Sequence, residues 1–509
     1  MVDLSGLRMG TAAGRWVLVA TVLGSGIVMV DGTVVNVALP HIGYELGAGF
    51  GGLQWTINAY TLTLAALILL GGSLGDHFGR RRVFLVGVIW FALASAACGL
   101  APNIAMLVAG RALQGVGGAL LTPGSLALIS ASFRGSDRAA AIGAWSGLGG
   151  LAGAVGPFLG GFLVEWSWRA VFLINLPLAV VVVVVTLLRV PESRDTQSPP
   201  GLDVSGTLLA VLGLAGLTYG LTELSNRGAT IEAIVAAGVG ALALVAFVAV
   251  QRRSTHPLVP PSLFADNTFR VANAVTLLIY GALGAVFLLL VLQLQTVAGF
   301  GPVAAGTALL PVTAVLLVFS SRAGVLAGRI GPRVPIAIGP VIAAAGLLLM
   351  LRIGSATSWL VDVLPAALVF GAGVALVVAP LTSAVLDSAP DRLVGSASGV
   401  NNAVARASGL LAVAVIPGLA GITGADYTDP TTFNAGFRTA IVIAASLLVA
   451  AAALAFAGIR PRPVQAATKD RILVEQCTHC PINGPPQHPS ASTVGWSSES
   501  PLQPHSEPA

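Results

Sequence analysis

The sequence predicts an all-α integral membrane protein with fourteen transmembrane helices, and three observations carry that prediction. Charged residues make up 9% of the chain, against roughly 25% in a soluble domain. The apolar fraction is 55% and the mean hydropathy is +0.89, so the chain cannot cover a water-facing surface. Continuously apolar runs of about 20 residues recur from end to end, each long enough to cross a hydrocarbon core about 30 Å thick as a helix. The runs do not alternate as barrel strands would, and in lipid a helix satisfies its own backbone amides.

The spans fall in order along the chain. Span 1 (16–38) is interrupted by a single charge, Asp31; it is too long for a secretory leader and has no convincing small-residue cleavage site, so it is read as an uncleaved first helix. Spans 2 (53–73) and 3 (83–101) flank the turn that holds Arg80, Arg81 and Arg82, and spans 4 (104–128), 5 (139–164) and 6 (170–189) complete a first group. A polar connection at 190–203 leads to spans 7 (204–223) and 8 (232–250). Spans 9 (270–296), 10 (303–321), 11 (334–352), 12 (360–386), 13 (396–421) and 14 (437–459) follow. Pro311, Pro365 and Pro380 interrupt the pattern of spans 10 and 12, and 422–436 reads as an external loop.

Basic residues set the orientation. Arg8, Arg15, Arg80, Arg81, Arg82, Arg134, Arg138, Arg189, Arg194, Arg252, Arg253, Arg270, Arg322, Arg329, Arg333, Arg392, Arg460, Arg462, Lys469 and Arg471 fall on one side. Only Arg169, Arg227, Arg352 and Arg438 fall on the other, while Arg111 and Arg406 lie within spans. The positive-inside rule therefore places both termini in the cytoplasm of a multi-pass cell-membrane protein. The same asymmetry accounts for the net charge of +5 without a nucleic-acid partner.

The chain repeats itself. GSLGDHFGRRR (72–82), between spans 2 and 3, matches GVLAGRIGPRV (324–334), between spans 10 and 11, at Gly72/Gly324, Leu74/Leu326, Gly79/Gly331 and Arg81/Arg333. Gly115 and Gly117 of span 4 pair with Gly371 and Gly373 of span 12 at the same eight-span offset. Duplication explains both matches, with spans 7 and 8 inserted between two six-helix halves, an architecture that places substrate where the halves meet near the bilayer midplane. The expected organisation is a cytoplasmic N-terminus (1–15), a first bundle (16–189), the inserted pair with its loops (190–253), a second bundle (254–459) and a disordered cytoplasmic tail (460–509).

Several motifs carry chemistry. Gly149, Gly153, Gly156 and Gly160 share one face of span 5, with Pro157 and Gly161 beside them; the face is a packing seam, or one that also seals the external route and flexes. Asp76, flanked by Gly72, Gly79, Arg80 and Arg81, suits a conformational latch. Arg111 in span 4 requires a partner inside the protein, and Asp31 is the one carboxylate deep within the first half's spans. Placed in a partly dry cavity, Asp31 would trade a proton for substrate while Arg111 restrains its charged state; the alternative is a static pair that joins spans 1 and 4. Asn36, Asn58, Tyr60, Gln114, Gln293, Gln295, Asn401, Asn402 and Arg406 are candidate cavity residues. Trp55 and Trp166 suit interface anchoring.

These residues resemble a known family. GSLGDHFGRRR and LVAGRALQGVGGA (107–119) are similar to the loop and span 4 signatures of the major facilitator superfamily. GLAGAVGPFLGG (150–161) resembles the span 5 signature of its antiporters, with Ala152 where Gly is usual. VDGTVVNVALP (30–40) and WSWRAVFLINLP (166–177) resemble the fourteen-span drug:proton antiporter branch of the EmrB and QacA type. The resemblance implies a major facilitator fold that exports amphipathic small molecules, as in multidrug or antibiotic efflux, in exchange for protons.

Other functions are weaker. No GxxxxGK[ST] loop is present for ATP-driven transport, no catalytic constellation assembles, and no cofactor is expected beyond the proton-motive force. A proton symporter or facilitator for a nutrient remains an alternative, disfavoured by the GPFLGG seam. A membrane sensor using the CTHC tail (477–480) is another, although one CxxC with scattered His falls short of a zinc set, so no metal is expected. A monomer in lipid is the expected form.

Overall fold

The computed structural model describes residues 7–194, 203–254, 257–390, 393–424 and 426–459. The CTHC segment lies outside the described residues. Among the described residues, fourteen helices are long and apolar enough to cross a membrane: spans 1 (Ala12–Leu46), 2 (Phe50–Phe78), 3 (Arg80–Gly99), 4 (Ile104–Ser132), 5 (Gly135–Trp166), 6 (Ala170–Arg189), 7 (Val204–Arg227), 8 (Ile231–Arg253), 9 (Asn267–Val297), 10 (Pro302–Ile330), 11 (Arg333–Arg352), 12 (Trp359–Asp387), 13 (Val394–Leu419) and 14 (Pro430–Gly458).

The helices overrun the apolar runs that predict them, because polar residues cap their ends. Asn103, Asp203, Thr230, Asp266 and Asp429 each accept a hydrogen bond from an amide of the following first turn. The expected loop at 422–436 is shorter, since Pro430 already occupies the first turn of span 14. The prolines of spans 10 and 12 act at element starts: span 10 breaks at Leu309 ahead of Pro311, and span 12 opens with a π turn (Trp359–Val363) ahead of Pro365. Pro380 lies within a continuous helix.

Within the first group, spans 2, 3 and 4 pack together and span 1 packs on span 5; later in the chain, span 9 packs on 13 and 14, and span 12 on 10 and 11. Spans 7 and 8 pair with each other. Span 8 is the least embedded, with 17% of its apolar stretch buried, and Leu242 and Val245 point outward as lipid-facing residues do.

The internal repeat has a structural basis. Gly79 and Gly331 both end a helix with positive φ, at +106° and +85°, a conformation that favours glycine. A Cβ on Gly115 would come within 2.3 Å of the Tyr60 carbonyl in span 2, and one on Gly371 within 3.0 Å of Val312 Cα in span 10. A Cβ on Gly117 would meet the Phe91 amide of span 3 at 2.7 Å, and one on Gly373 the Ala343 amide of span 11 at 2.2 Å. Each matched glycine thus serves the same close helix crossing in its own half.

The two halves meet at the Arg-poor end. Tyr427 Oη donates to the Ala48 carbonyl at 2.8 Å, the Phe50 amide to Gly424 at 2.9 Å, Gln54 Nε2 to Val413 at 2.8 Å and Gln295 Nε2 to Val37 at 3.0 Å. Span 7 joins this seal: Asn226 Nδ2 donates to Gln54 Oε1 at 2.8 Å and Ser225 Oγ to Ala414 at 3.0 Å. Spans 5 and 10 also cross there, where a Cβ on Gly161 would lie 2.7 Å from the Pro302 carbonyl and one on Gly306 2.1 Å from that of Pro157. Toward the Arg-rich end, Gly143, Gly147, Gly149, Gly150 and Gly328 have nothing within 4 Å of such a Cβ. Spans 5 and 10 therefore diverge toward that end, while spans 2 and 13 stay in touch through Leu69 and Gly399.

Candidate functional site

Arg111 and Gln114 occupy one face of span 4, three residues apart, and both turn toward Asp31 in the middle of span 1. Arg111 Nη1 lies 2.6 Å from Asp31 Oδ2, with the two residues 1% and 0% exposed. Gln114 Nε2 donates to Asp31 Oδ1 at 2.7 Å, and its Oε1 accepts from Arg111 Nη1 at 2.7 Å. That orientation of the amide is complementary to both charges.

Two residues not foreseen from the sequence complete the cage. Asn175 Nδ2, at the start of the main segment of span 6, donates to Asp31 Oδ1 at 3.1 Å and to Ser95 Oγ at 2.9 Å. Ser95 of span 3 also accepts from Gln114, and its hydroxyl donates to the Phe172 carbonyl at 2.9 Å. Arg111 Nε donates to the Thr56 carbonyl at 3.0 Å, and the guanidinium carbon sits 4.1 Å from the Tyr60 ring centroid, a cation–π distance. The available signal for Asn175 was a lone amide in an apolar stretch; for Ser95 and a backbone carbonyl there was none.

The partly dry cavity expected around Asp31 is not present in this conformation. The carboxylate is enclosed among spans 1, 3, 4 and 6 of the first half, with three donors on its two oxygens. An ion pair cut off from water is held up by such donors, since desolvation alone would outweigh the attraction.

The other candidates separate by location. Asn58 is fully buried and neither its Oδ1 nor its Nδ2 has a partner. Asn401 of span 13 donates to Asn273 at 3.2 Å and Thr276 at 2.9 Å of span 9. Gln293 bonds the Ile353 carbonyl and Asn434, fastening spans 9, 11 and 14, whereas exposed Asn402 bonds the Ser398 carbonyl one turn back on its own helix. Asn36 is half-buried. Trp55 packs on Tyr219 of span 7 with ring centroids 6.0 Å apart, and Trp166 is exposed.

The glycines of span 5 serve two neighbours. Those at 153, 156 and 160 face span 1, where a Cβ on Gly156 would strike Thr33 and one on Gly160 would strike Val34; Gly161 and Pro157 face span 10. At the Arg-rich end Asp76 is bonded by Arg80 Nε at 2.9 Å and Nη2 at 2.8 Å, and the Arg81 amide donates to Glu192 Oε1 at 3.1 Å. The Asp76–Arg80 contact lies within the first group of spans, and the Arg81 contact reaches only the connection that follows it. Among the described residues no side chain caps the start of span 13.

The model of the Major Facilitator Superfamily matches residues 21–413. The chain belongs to the major facilitator superfamily. It is 38% identical over 389 residues to the Multidrug resistance protein Stp of Mycobacterium tuberculosis, covering 76% of this chain and 72% of that protein. It is 35% identical over 465 residues to the Puromycin resistance protein pur8 of Streptomyces alboniger, covering 88% and 92%. In three dimensions it is similar to a bacterial homologue of the human lysosomal transporter Spinster, with a TM-score of 0.65 at 16% identity over 89% of this chain and 98% of that one. The last likeness speaks to the fold.

Proposed function

We propose that this major facilitator chain exports amphipathic small molecules by alternating access, driven by proton uptake through Asp31. Its relatives include proteins named for multidrug and puromycin resistance, which supports export as the direction of transport. The observation that carries the proton role is the Asp31–Arg111 pair, the one fully enclosed ion pair among the described residues.

The geometry suggests how one proton does mechanical work. An ionised Asp31 fixes Arg111 against span 1. A proton on Oδ2 removes that attraction, on the order of 4 kcal/mol for opposite charges about 4 Å apart at an effective dielectric of about 20. Arg111 then retains Gln114 Oε1, the Thr56 carbonyl and the Tyr60 ring. Spans 1 and 4 lose a tie while spans 2 and 4 keep theirs, and a change of that kind shifts a two-state helix packing. The seal at the Arg-poor end and the divergence of spans 5 and 10 describe one of the two states. In the other, the Arg-rich ends come together and Asp76 reaches the uncapped start of span 13 as a latch. We place both termini in the cytoplasm, so this structure is the inward-open state.

The test uses inverted membrane vesicles with an acid interior. Added substrates of the parent protein should release protons from the lumen, and Asp31→Asn should abolish the release while substrate still binds. Undiminished exchange in Asp31→Asn would overturn the assignment of the carrier.

A further inference from the structure

Arg406 is a charge without a counter-charge. It stands midway along span 13, where a cation faces protein interior or a water-filled space. The other mid-span cation of this kind, Arg111, is neutralised by Asp31. Arg406 has no ion pair and no hydrogen bond among the described residues, and its Nε is sealed from solvent without an acceptor. Tyr280 of span 9 lies across from the turn that follows Arg406, where a Cβ on Gly409 would come within 3.7 Å of the Tyr280 carbonyl. A half-buried guanidinium with a sealed, unpaired Nε and no anion is an incomplete site.

A second orphan lies in the same stretch. Spans 2 and 13 run antiparallel, pinned by Gln54 against Val413 at one level and by Leu69 against Gly399 at another. Gln54, Asn58, Thr61, Ala65 and Leu69 follow helical spacing along one face of span 2. That register sets Asn58 and Thr61 opposite the Arg406–Gly409 turn. Asn58 has neither amide atom partnered although the residue is fully buried. Span 9 closes the third side at Tyr280. Arg406, Asn58 and Tyr280 therefore converge from spans 13, 2 and 9 where the first and second halves touch, the level at which this architecture holds substrate, while Tyr60 lies behind them against Arg111.

We propose that these three residues form an anion subsite, so that the exported molecules include amphipathic aromatic anions whose carboxylate or phenolate oxygens sit on Arg406. The guanidinium offers two parallel N–H donors to a carboxylate, the Asn58 amide and the Tyr280 hydroxyl offer further donors, and the Tyr280 ring supplies an apolar face. The inference rests on the export reading for the word "exported", but the binding it describes stands separately.

The experiment uses the full chain in lipid nanodiscs and three ligands of one shape: 2-naphthoate, 2-naphthalenemethanol and 2-naphthylmethylammonium. Their affinities are measured by equilibrium dialysis. The parent should bind the carboxylate about tenfold more tightly than the ammonium, as one charge-assisted hydrogen-bond pair supplies. Arg406→Gln should erase that preference while binding the neutral alcohol as before. Arg406→Lys should keep most of it, which guards against a folding defect in the glutamine variant. A parent without charge preference, or a preference that survives Arg406→Gln or is lost in Arg406→Lys, overturns the proposal. Arg406-dependent binding of naphthoate without proton release in vesicles would instead sink the export reading and leave the subsite standing.

Discussion

Removing one partner of the Asp31–Arg111 pair should cost far more than removing both. In Arg111→Met the carboxylate stays where no water reaches it, with only the neutral donors of Gln114 and Asn175 at 2.7 and 3.1 Å. An uncompensated buried charge of this kind costs about 3–5 kcal/mol. Asp31→Asn strands the guanidinium instead, although Gln114 Oε1, the Thr56 carbonyl and the Tyr60 ring still receive it, so its cost should lie at the lower end, about 3 kcal/mol. The double variant removes both charges and leaves a neutral core, placing it within about 2 kcal/mol of the parent. The assay is a double-mutant cycle from reversible unfolding in mixed detergent and SDS micelles. Single variants that each cost under about 1 kcal/mol, or costs that simply add, would refute the claim that the charges are enclosed and coupled. The same double variant separates a carrier from a static strut: it should fold and bind substrate yet release no protons, and proton exchange by it would leave the pair a purely structural tie between spans 1 and 4.

Three further outcomes test other parts of the structure. Gly306→Ala places a methyl group 2.1 Å from the Pro157 carbonyl and should cut transport at least tenfold, about 1.4 kcal/mol against closure, with protein yield retained; Gly143→Ala, which meets nothing within 4 Å, should transport as the parent does. Asn226→Ala deletes the bond from span 7 to Gln54, worth about 1 kcal/mol, and should speed hydrogen exchange of the Phe50 amide about fivefold. Burial pushes the Asp203 carboxyl upward, but the Gly206 amide, Gln251, Ser205 and the Leu258 amide together hold it below its ordinary 3.8. The stabilisation it gives is therefore complete above about pH 4 and fades as the pH falls through the lowered value. Asp203→Asn should remove that acid sensitivity and cost about 1 kcal/mol at neutral pH, read from thermal unfolding against pH.

How much of this was legible in the sequence follows from what lipid penalises. All fourteen spans were, because a chain segment in hydrocarbon has no alternative to continuous apolarity and internal hydrogen bonding. Asp31 and Arg111 were, because a charge there is costly enough that one implies another. Ser95 and Asn175 were not, since a small hydroxyl or a single amide is as often a helix-to-helix bond as a site residue. The role of Gln293 also went unread: sequence shows that an amide exists, while the partners at Ile353 and Asn434 come from spans 60 and 141 residues away. Gln54 and Asn226 were passed over for the same reason, although together they tie the inserted span 7 to both halves.

The internal repeat shows why packing and charge diverged. At the offset that aligns Gly115 with Gly371, Arg111 aligns with Ala367, which is buried at 1% exposure in an apolar core. The glycines persist in both copies because the close crossings of spans 4 and 12 tolerate no Cβ in either half. Among the described residues the enclosed ion pair appears once, and a second copy would double its desolvation cost. The cation of the second half stands instead on span 13, at the contact with span 2 and without a carboxylate of its own. A duplicated scaffold that seals one charge pair inside its first half and leaves one arginine unpaired at the meeting of the halves is built to divide two tasks under the proposed function: the enclosed pair would respond to a proton, and the open cation to a ligand.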